Sequence, residues 1–276
     1  MLADSDRPAA QERLGLLFNA GKIRIHINVE YNTHMSKPEL VLSNTVSFFS
    51  GNIEILFKKA KKYGFGYLEI IPYRWNTAEQ ILNLQKIYNI KVAGVHMPSI
   101  TWQGGWLELL RKKNSLWEKF WSLVFYAYLG KAINSPGIKI ASRLNSPYLL
   151  IHSNIAKEMG ERFQEFQTNF HVVIENIPAD KALFPGGMFD HGHFNESRLK
   201  TPSLDLDKLY GEAKPEGIHI SYNSHFVHLL PDEKEQTELK QLLRIHQPKY
   251  IVIETNPLVS VKKAKLLLEK ILNPPL

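Results

Sequence analysis

Phe170-His-Val-Val-Ile-Glu175-Asn-Ile-Pro178 and Lys249-Tyr-Ile-Val-Ile-Glu254-Thr-Asn-Pro257 are two short apolar runs that each end on a carboxylate, with a turn directly after. Val and Ile bounded by turn residues read as a strand buried on both faces. A carboxylate at the end of such a strand would lose its water at a cost of several kcal/mol unless a cation or a proton-transfer partner compensates. Histidine repeats the pattern in Val92-Ala-Gly-Val-His96 and Tyr148-Leu-Leu-Ile-His152, and Gly217-Ile-His219-Ile is close to it. Ligand-type residues at the C-terminal ends of successive strands, joined by helices, describe the active face of a β/α barrel.

Working outward, strands and helices alternate along the chain, which argues for a parallel sheet with crossover helices. Strand one is expected over Ile23 to Val29, strand two over Tyr67 to Ile71 and strand seven over Gly217 to Ser221. Strands three, four, five and eight end at His96, His152, Glu175 and Glu254. Helices are expected over Asn52 to Tyr63, Ala78 to Tyr88, Ala156 to Gln167, Glu235 to His246 and Val259 to Leu272, with at least one more between Ile100 and Asn145. Phe184 to Phe194, which contains Asp190 and His193, is the candidate for strand six, and Ser203 to Asp207 is its rival. Fifteen residues from Glu175 to Asp190 are too few for a full crossover helix, so this connection is expected to be reduced to a loop, with Asp180 to Gly187 flexible over the barrel mouth.

With 276 residues, 44% of them hydrophobic, the chain suits one large α/β domain, here 1–276 with residues 1–20 as an N-terminal extension. There is no cysteine, so a metal site must use His, Asp and Glu. The first residues lack the basic start and apolar stretch of a signal peptide, and Leu116 to Leu129 is too short to span a bilayer. The expectation is a cytoplasmic protein with no membrane partner. A net charge of +7 permits contact with nucleic acid or a phosphorylated small molecule.

One strand-end histidine is most often a hydrogen-bonded structural residue. The case lies in the set: His96, His152, Glu175, Asp190 or His193, His219, His228 and Glu254 follow strands three to eight in order. Imidazole and carboxylate suit Zn, Mn, Mg or Fe.

Gly66-Tyr-Leu-Glu-Ile, Gly94-Val-His96-Met-Pro, Ile174-Glu175-Asn, Asp190-His-Gly-His193, Ile218-His219-Ile-Ser, His228-Leu-Leu-Pro and Ile253-Glu254 together resemble the xylose isomerase-like TIM barrels. That group includes sugar isomerases and epimerases and the endonuclease IV type of abasic-site nuclease (AP endonuclease family 2). The resemblance implies a (β/α)8 barrel. From the single-metal epimerases it implies Glu175, Asp190, His219 and Glu254 as ligands, with the two glutamates exchanging the substrate proton. From the three-metal nucleases it implies His96 and His152 as further ligands. This chain departs from the nuclease pattern, which has an Asp where Phe226 stands; the neighbouring His225 is the residue that could substitute. Glu69 at the end of strand two is closer to the isomerases, and Trp102 could roof a sugar.

The leading expectation is thus a divalent-metal-dependent isomerase or epimerase of a sugar-like small molecule, with Glu175 and Glu254 catalytic and Glu69, Trp102 and His225 near the substrate. The first alternative is an abasic-site phosphodiesterase, a hydrolase acting on DNA. The second is a barrel that keeps a ligand site without catalysis.

Overall fold

The computed structural model describes residues 16–17, 24–25, 38–99, 107, 110–111, 115–177, 180, 183–224 and 227–272. The chain divides into two compact units, Met1–Met35 and Ser36–Leu276. In the first, Leu16–Leu17 pairs antiparallel with Arg24–Ile25. The second is a barrel of eight parallel strands: β1 (Glu39–Ser43), β2 (Tyr67–Ile70), β3 (Lys91–His96), β4 (Tyr148–His152), β5 (Val172–Glu175), β6 (Met188–Asp190), β7 (Gly217–Ile220) and β8 (Tyr250–Ile253). Each pairs with the next, and β8 closes the ring on β1. Among the described residues no helix is long and apolar enough to cross a membrane.

Helices follow most strands because the chain carries the stop and start signals they need. In α1 (Ile53–Tyr63), the Asn52 side chain accepts from Glu54 N at 2.9 Å and Gly64 ends the helix at φ 70°. Its apolar stripe of Ile53, Leu56, Phe57 and Ala60 is buried, each large side chain contributing about 1.5–3 kcal/mol relative to exposure. In α2 (Ala78–Tyr88), Thr77 caps the start and Asn89, at φ 54°, caps the end. The helices α3 (Leu116–Leu129) and α4 (Gly137–Leu144) lie between β3 and β4. Beyond β4 come α5 (Ser153–Met159) and α6 (Arg162–Asn169). After β6 come α7 (His191–Lys200) and α8 (Leu206–Ala213). The last are α9 (Glu233–Ile245), opened by a reciprocal Asp232–Glu235 cap, and α10 (Val261–Leu272).

Four expectations need correction. Barrel strand one is Glu39–Ser43, not Ile23 to Val29, of which only Arg24–Ile25 is described as strand, in a two-stranded sheet of its own with Leu16–Leu17. Ala156 to Gln167 is two helices, parted where Gly160 takes φ 57° and ψ −128°. Ser203 to Asp207 is no strand: Asp205 caps α8, accepting from Lys208 N at 3.1 Å. Asp180 is not loose over the mouth, since it accepts from Ser153 Oγ at 2.5 Å and from Lys157 Nζ at 2.9 Å. The connection from β5 to β6 holds no helix among its described residues, as its length required.

Alternate strand residues face opposite sides. Leu42, Leu68, Ile151, Ile174 and Ile251 face outward and pack in the layer under the helices. Leu150, Val173, Met188 and Val252 pack together inside the barrel. Two residues further along the same strands stand His152, Glu175, Asp190 and Glu254. The polar site is therefore the last inward layer of a filled barrel, at the C-terminal ends of the strands.

Candidate metal centre

Register does most of the positioning. In the parallel ladders His152 pairs with Glu175 and Asp190 pairs with His219, so neighbouring strands present their ligand-type residues at one level. Glu175, Asp190, His219 and Glu254 form one group, and His96, His152 and Glu175 form a second that shares Glu175. In each group the ligating atoms lie within 4.8 Å of one another.

In the first group His219 Nδ1 lies 2.8 Å from Glu175 Oε1, 2.7 Å from Glu254 Oε2 and 3.9 Å from Asp190 Oδ2. All four residues are buried, Asp190 and His219 completely. In the second, Glu175 Oε2 lies 3.0 Å from His152 Nε2 and 3.4 Å from His96 Nε2, and the two imidazole nitrogens are 3.0 Å apart. Asp190 Oδ1 is engaged elsewhere, accepting from His193 N at 2.6 Å as the cap of α7.

Glu69 backs both groups. Its Oε2 lies 3.1 Å from His219 Nε2 and accepts from Tyr148 Oη at 2.8 Å, while Oε1 lies 3.6 Å from His96 Nδ1. A proton on His219 Nε2, donated to Glu69, leaves the Nδ1 lone pair facing the carboxylates. This is the carboxylate–histidine relation that orients a metal ligand. Tyr148 reaches Glu69 because Gly94 leaves room: a Cβ there would stand 2.0 Å from the Tyr148 ring.

Burial drives the Glu69 carboxyl up, but His219 and His96 outweigh it and hold the group at about 2. Burial opposes charge on His219, yet Glu69, Glu175 and Glu254 outweigh it and push the imidazole well above its ordinary 6.5. His96 is raised the same way, against burial, by Glu69 and Glu175. Burial also raises Glu175, and His219 and His152 overcome it, holding the carboxyl well below the ordinary range. Burial lowers His193.

Three buried carboxylates around one imidazole need positive charge to offset their repulsion and desolvation. Glu175 Oε2 and His219 Nδ1 are buried and make no hydrogen bond of good geometry. Donor types and orphaned atoms both fit a divalent cation.

The structure thus brings together His96, His152, Glu175, Asp190, His219 and Glu254. Half-buried His193 stands apart from both groups, its ring 6.1 Å from that of His152. Glu69, expected near substrate, is fully buried behind the histidines. Trp102 and His225 lie outside the described residues, as does the side chain of His228, whose backbone belongs to the Tyr222–Ser224 and Val227–Leu229 hairpin. Sequence reasoning missed Tyr148, whose only signal is a polar tip inside an apolar strand. It also missed Asn176, which follows a strand end where a turn is the plain reading. A surface cleft of about 550 Å³, lined by Arg198, Asp205, Lys234 and Glu238 among others, touches none of the ligand residues.

No sequence-family model matches the chain, and no curated protein matches it by sequence. Solved structures match it by shape. The IolI protein with a bound zinc atom aligns with a TM-score of 0.53 and 10% identity, covering 85% of this chain and 98% of that one. An AP endonuclease, family 2, from Brucella melitensis aligns at 0.50 and 15%, covering 82% and 96%. A xylose isomerase domain containing protein from Salmonella typhimurium aligns at 0.50 and 9%, covering 87% and 97%. At such identities the likeness is one of fold. The chain has the fold of the xylose isomerase-like TIM barrels, with two groups of ligand-type side chains at the C-terminal end of its strands.

Proposed function

We propose that the chain is a divalent-metal-dependent enzyme that isomerises or epimerises a sugar or sugar phosphate. The observation that carries this reading is the pair Glu175 and Glu254, both within 2.8 Å of His219 Nδ1. Glu175, Asp190, His219 and Glu254 would hold the cation, and the set suits Zn, Mn, Mg or Fe. A bound cation of this kind polarises a substrate carbonyl or hydroxyl oxygen. The chain does the rest. Glu175 and Glu254 come from strands separated by β6 and β7, so their carboxylates enter the site from different directions. One takes the proton from the carbon beside the carbonyl, and the other returns a proton to the substrate. His219 keeps its Nε2 proton on Glu69 and does not compete for that role.

The test is exchange in deuterium oxide, with Mn- or Zn-loaded protein and a panel of aldoses, ketoses and their phosphates. Deuterium entering the substrate carbon supports the reading. Glu254→Gln keeps the shape, removes the base and should abolish exchange while part of the substrate affinity survives. Cleavage of an abasic-site duplex without any exchange would overturn it.

A second reading has its own observation: His96, His152 and Glu175 share Glu175 with the first group. Paired cations are the arrangement that clamps the attacking and leaving oxygens of a phosphodiester. The net charge of +7 and the likeness in fold to an AP endonuclease favour DNA as that substrate. Here chelator and His96→Ala should block cleavage, and affinity should fall steeply with salt.

A further inference from the structure

We propose that Asn176 is a positioning residue that stands in for missing strand and sets Asp190 in the four-residue ligand group. The proposal rests on the metal reading above and concerns how this chain completes that group. The strand pairs on either side of β6 are unequal. Toward β7 the ladder is full, Met188, Phe189 and Asp190 pairing with Gly217, Ile218 and His219. Toward β5 it is a single pair, Glu175 with Met188, because β5 has ended. The β5 ladder therefore stops short of Asp190.

The Asn176 carboxamide takes that place. Its Oδ1 accepts from Asp190 N at 2.7 Å, and its Nδ2 donates to Asp190 O at 3.2 Å. One side chain thus supplies the donor and the acceptor that a paired strand residue would supply. Asn176 is itself buried, so both bonds are shielded from bulk solvent. The main chain next to Asn176 is held in turn, because Asp180 Oδ2 accepts from Ile177 N at 2.9 Å while Asp180 is tied to Ser153 and Lys157 on α5.

Close approach on the β6 side needs glycine at 187. A Cβ there would stand 2.5 Å from Ile174 O and 2.8 Å from Phe184 O. With its main chain fixed by Asn176 and Oδ1 fixed by His193 N, Asp190 directs Oδ2 toward His219 Nδ1. Burial alone would not do this. A carboxylate on a three-residue strand with one full ladder and one single pair has freedom to turn away, and a ligand misplaced by about 1 Å is a weak one.

The experiment is titration of metal-free protein with Co²⁺ alone, for wild type, Asn176→Ala, Asp190→Ala and the double variant. The visible absorption of bound Co²⁺ reports the donor set. Asn176→Ala is expected to weaken Co²⁺ binding about 10–100-fold, the range typical of a lost supporting contact, and to move the spectrum toward that of Asp190→Ala. In the Asp190→Ala background it should cause no further loss of affinity, since Asn176 acts through Asp190. Asn176→Gln keeps both hydrogen-bonding atoms but carries them one methylene too far. It covers the case in which the alanine variant does not fold, and the same non-additivity is expected of it. Unchanged affinity on substitution of Asn176, or an equal loss with and without Asp190, would overturn the proposal alone. Failure of wild-type protein to bind Co²⁺ would overturn the metal reading and this proposal with it.

Discussion

His219 Nε2 and Glu69 Oε2 lie 3.1 Å apart in the fully buried interior of the barrel, joining strand seven to strand two. The contact fixes the imidazole so that its other nitrogen meets Glu175 and Glu254. It also means that the strand-two carboxylate supports the site from behind.

Replacing Glu69 should therefore change cation binding without removing a ligand. Glu69→Gln is expected to keep the fold and to weaken divalent cation binding about 10–100-fold, measured by competition with a coloured chelator. Glu69→Ala should in addition lower stability by about 1–3 kcal/mol for each buried partner left unpaired, His219 Nε2 and Tyr148 Oη, read from denaturant unfolding of the metal-free protein.

Gly94 should tolerate no side chain. A Cβ at 2.0 Å from the Tyr148 ring must displace that ring, so Gly94→Ala should cost about 1–3 kcal/mol and pull Tyr148 from Glu69. In a Tyr148→Leu background the same change should cost less. Additive losses in the double variant would show that the two positions do not share space.

Stability of the metal-free protein should peak in a window of pH. Glu69 is depressed from 4.5 to about 2, so its contribution is present above 4.5 and is lost as pH falls toward 2. His219 and His96 are raised above 6.5. Their contribution is present below 6.5 and is lost as pH climbs through the raised values. Thermal melting of chelator-treated protein should fall on both sides of that window. Cation binding requires neutral imidazole, so added Zn²⁺ should raise the melting temperature more as pH rises. A shift that shrinks with pH would contradict the assigned ligands.

His96→Ala separates the two functional readings. If the isomerase reading holds, the variant keeps one cation in the four-residue group and retains proton exchange. If the phosphodiesterase reading holds, it loses one of two cations together with cleavage. Elemental analysis beside the two assays reads both.

The strand ends were the legible part of the sequence. An ionisable residue closing an apolar run contrasts with everything before it, and β3, β4 and β5 end where that contrast places them, at His96, His152 and Glu175, while β6, expected somewhere within Phe184 to Phe194, is only Met188–Asp190. The first strand was misread because Glu39–Ser43 ends on a serine and carries no such mark, while Ile23 to Val29 looks equally strand-like. Polar α7 hid for a related reason. Asp190 closes a strand and caps the helix at once, so His191 to His193 resembled more of a ligand-bearing strand end. The supporting roles were the part the sequence hid: Glu69 stands out as a strand-end carboxylate, but its place behind the histidines does not, and Asn176 carries no signal of its own. Asn176 and Glu69 gain their meaning from contacts with residues 14 and 150 positions away, and local pattern carries no information at that separation.

The most direct measurement is the cation content of wild-type protein and of His219→Ala, each purified without chelator and then offered Zn²⁺ and Mn²⁺. Bound divalent metal at one or more equivalents in the wild type, lost from the four-residue group in His219→Ala, is the expected result. A wild-type protein that carries no metal and takes up neither ion would contradict the assignment of Glu175, Asp190, His219 and Glu254 as a metal centre.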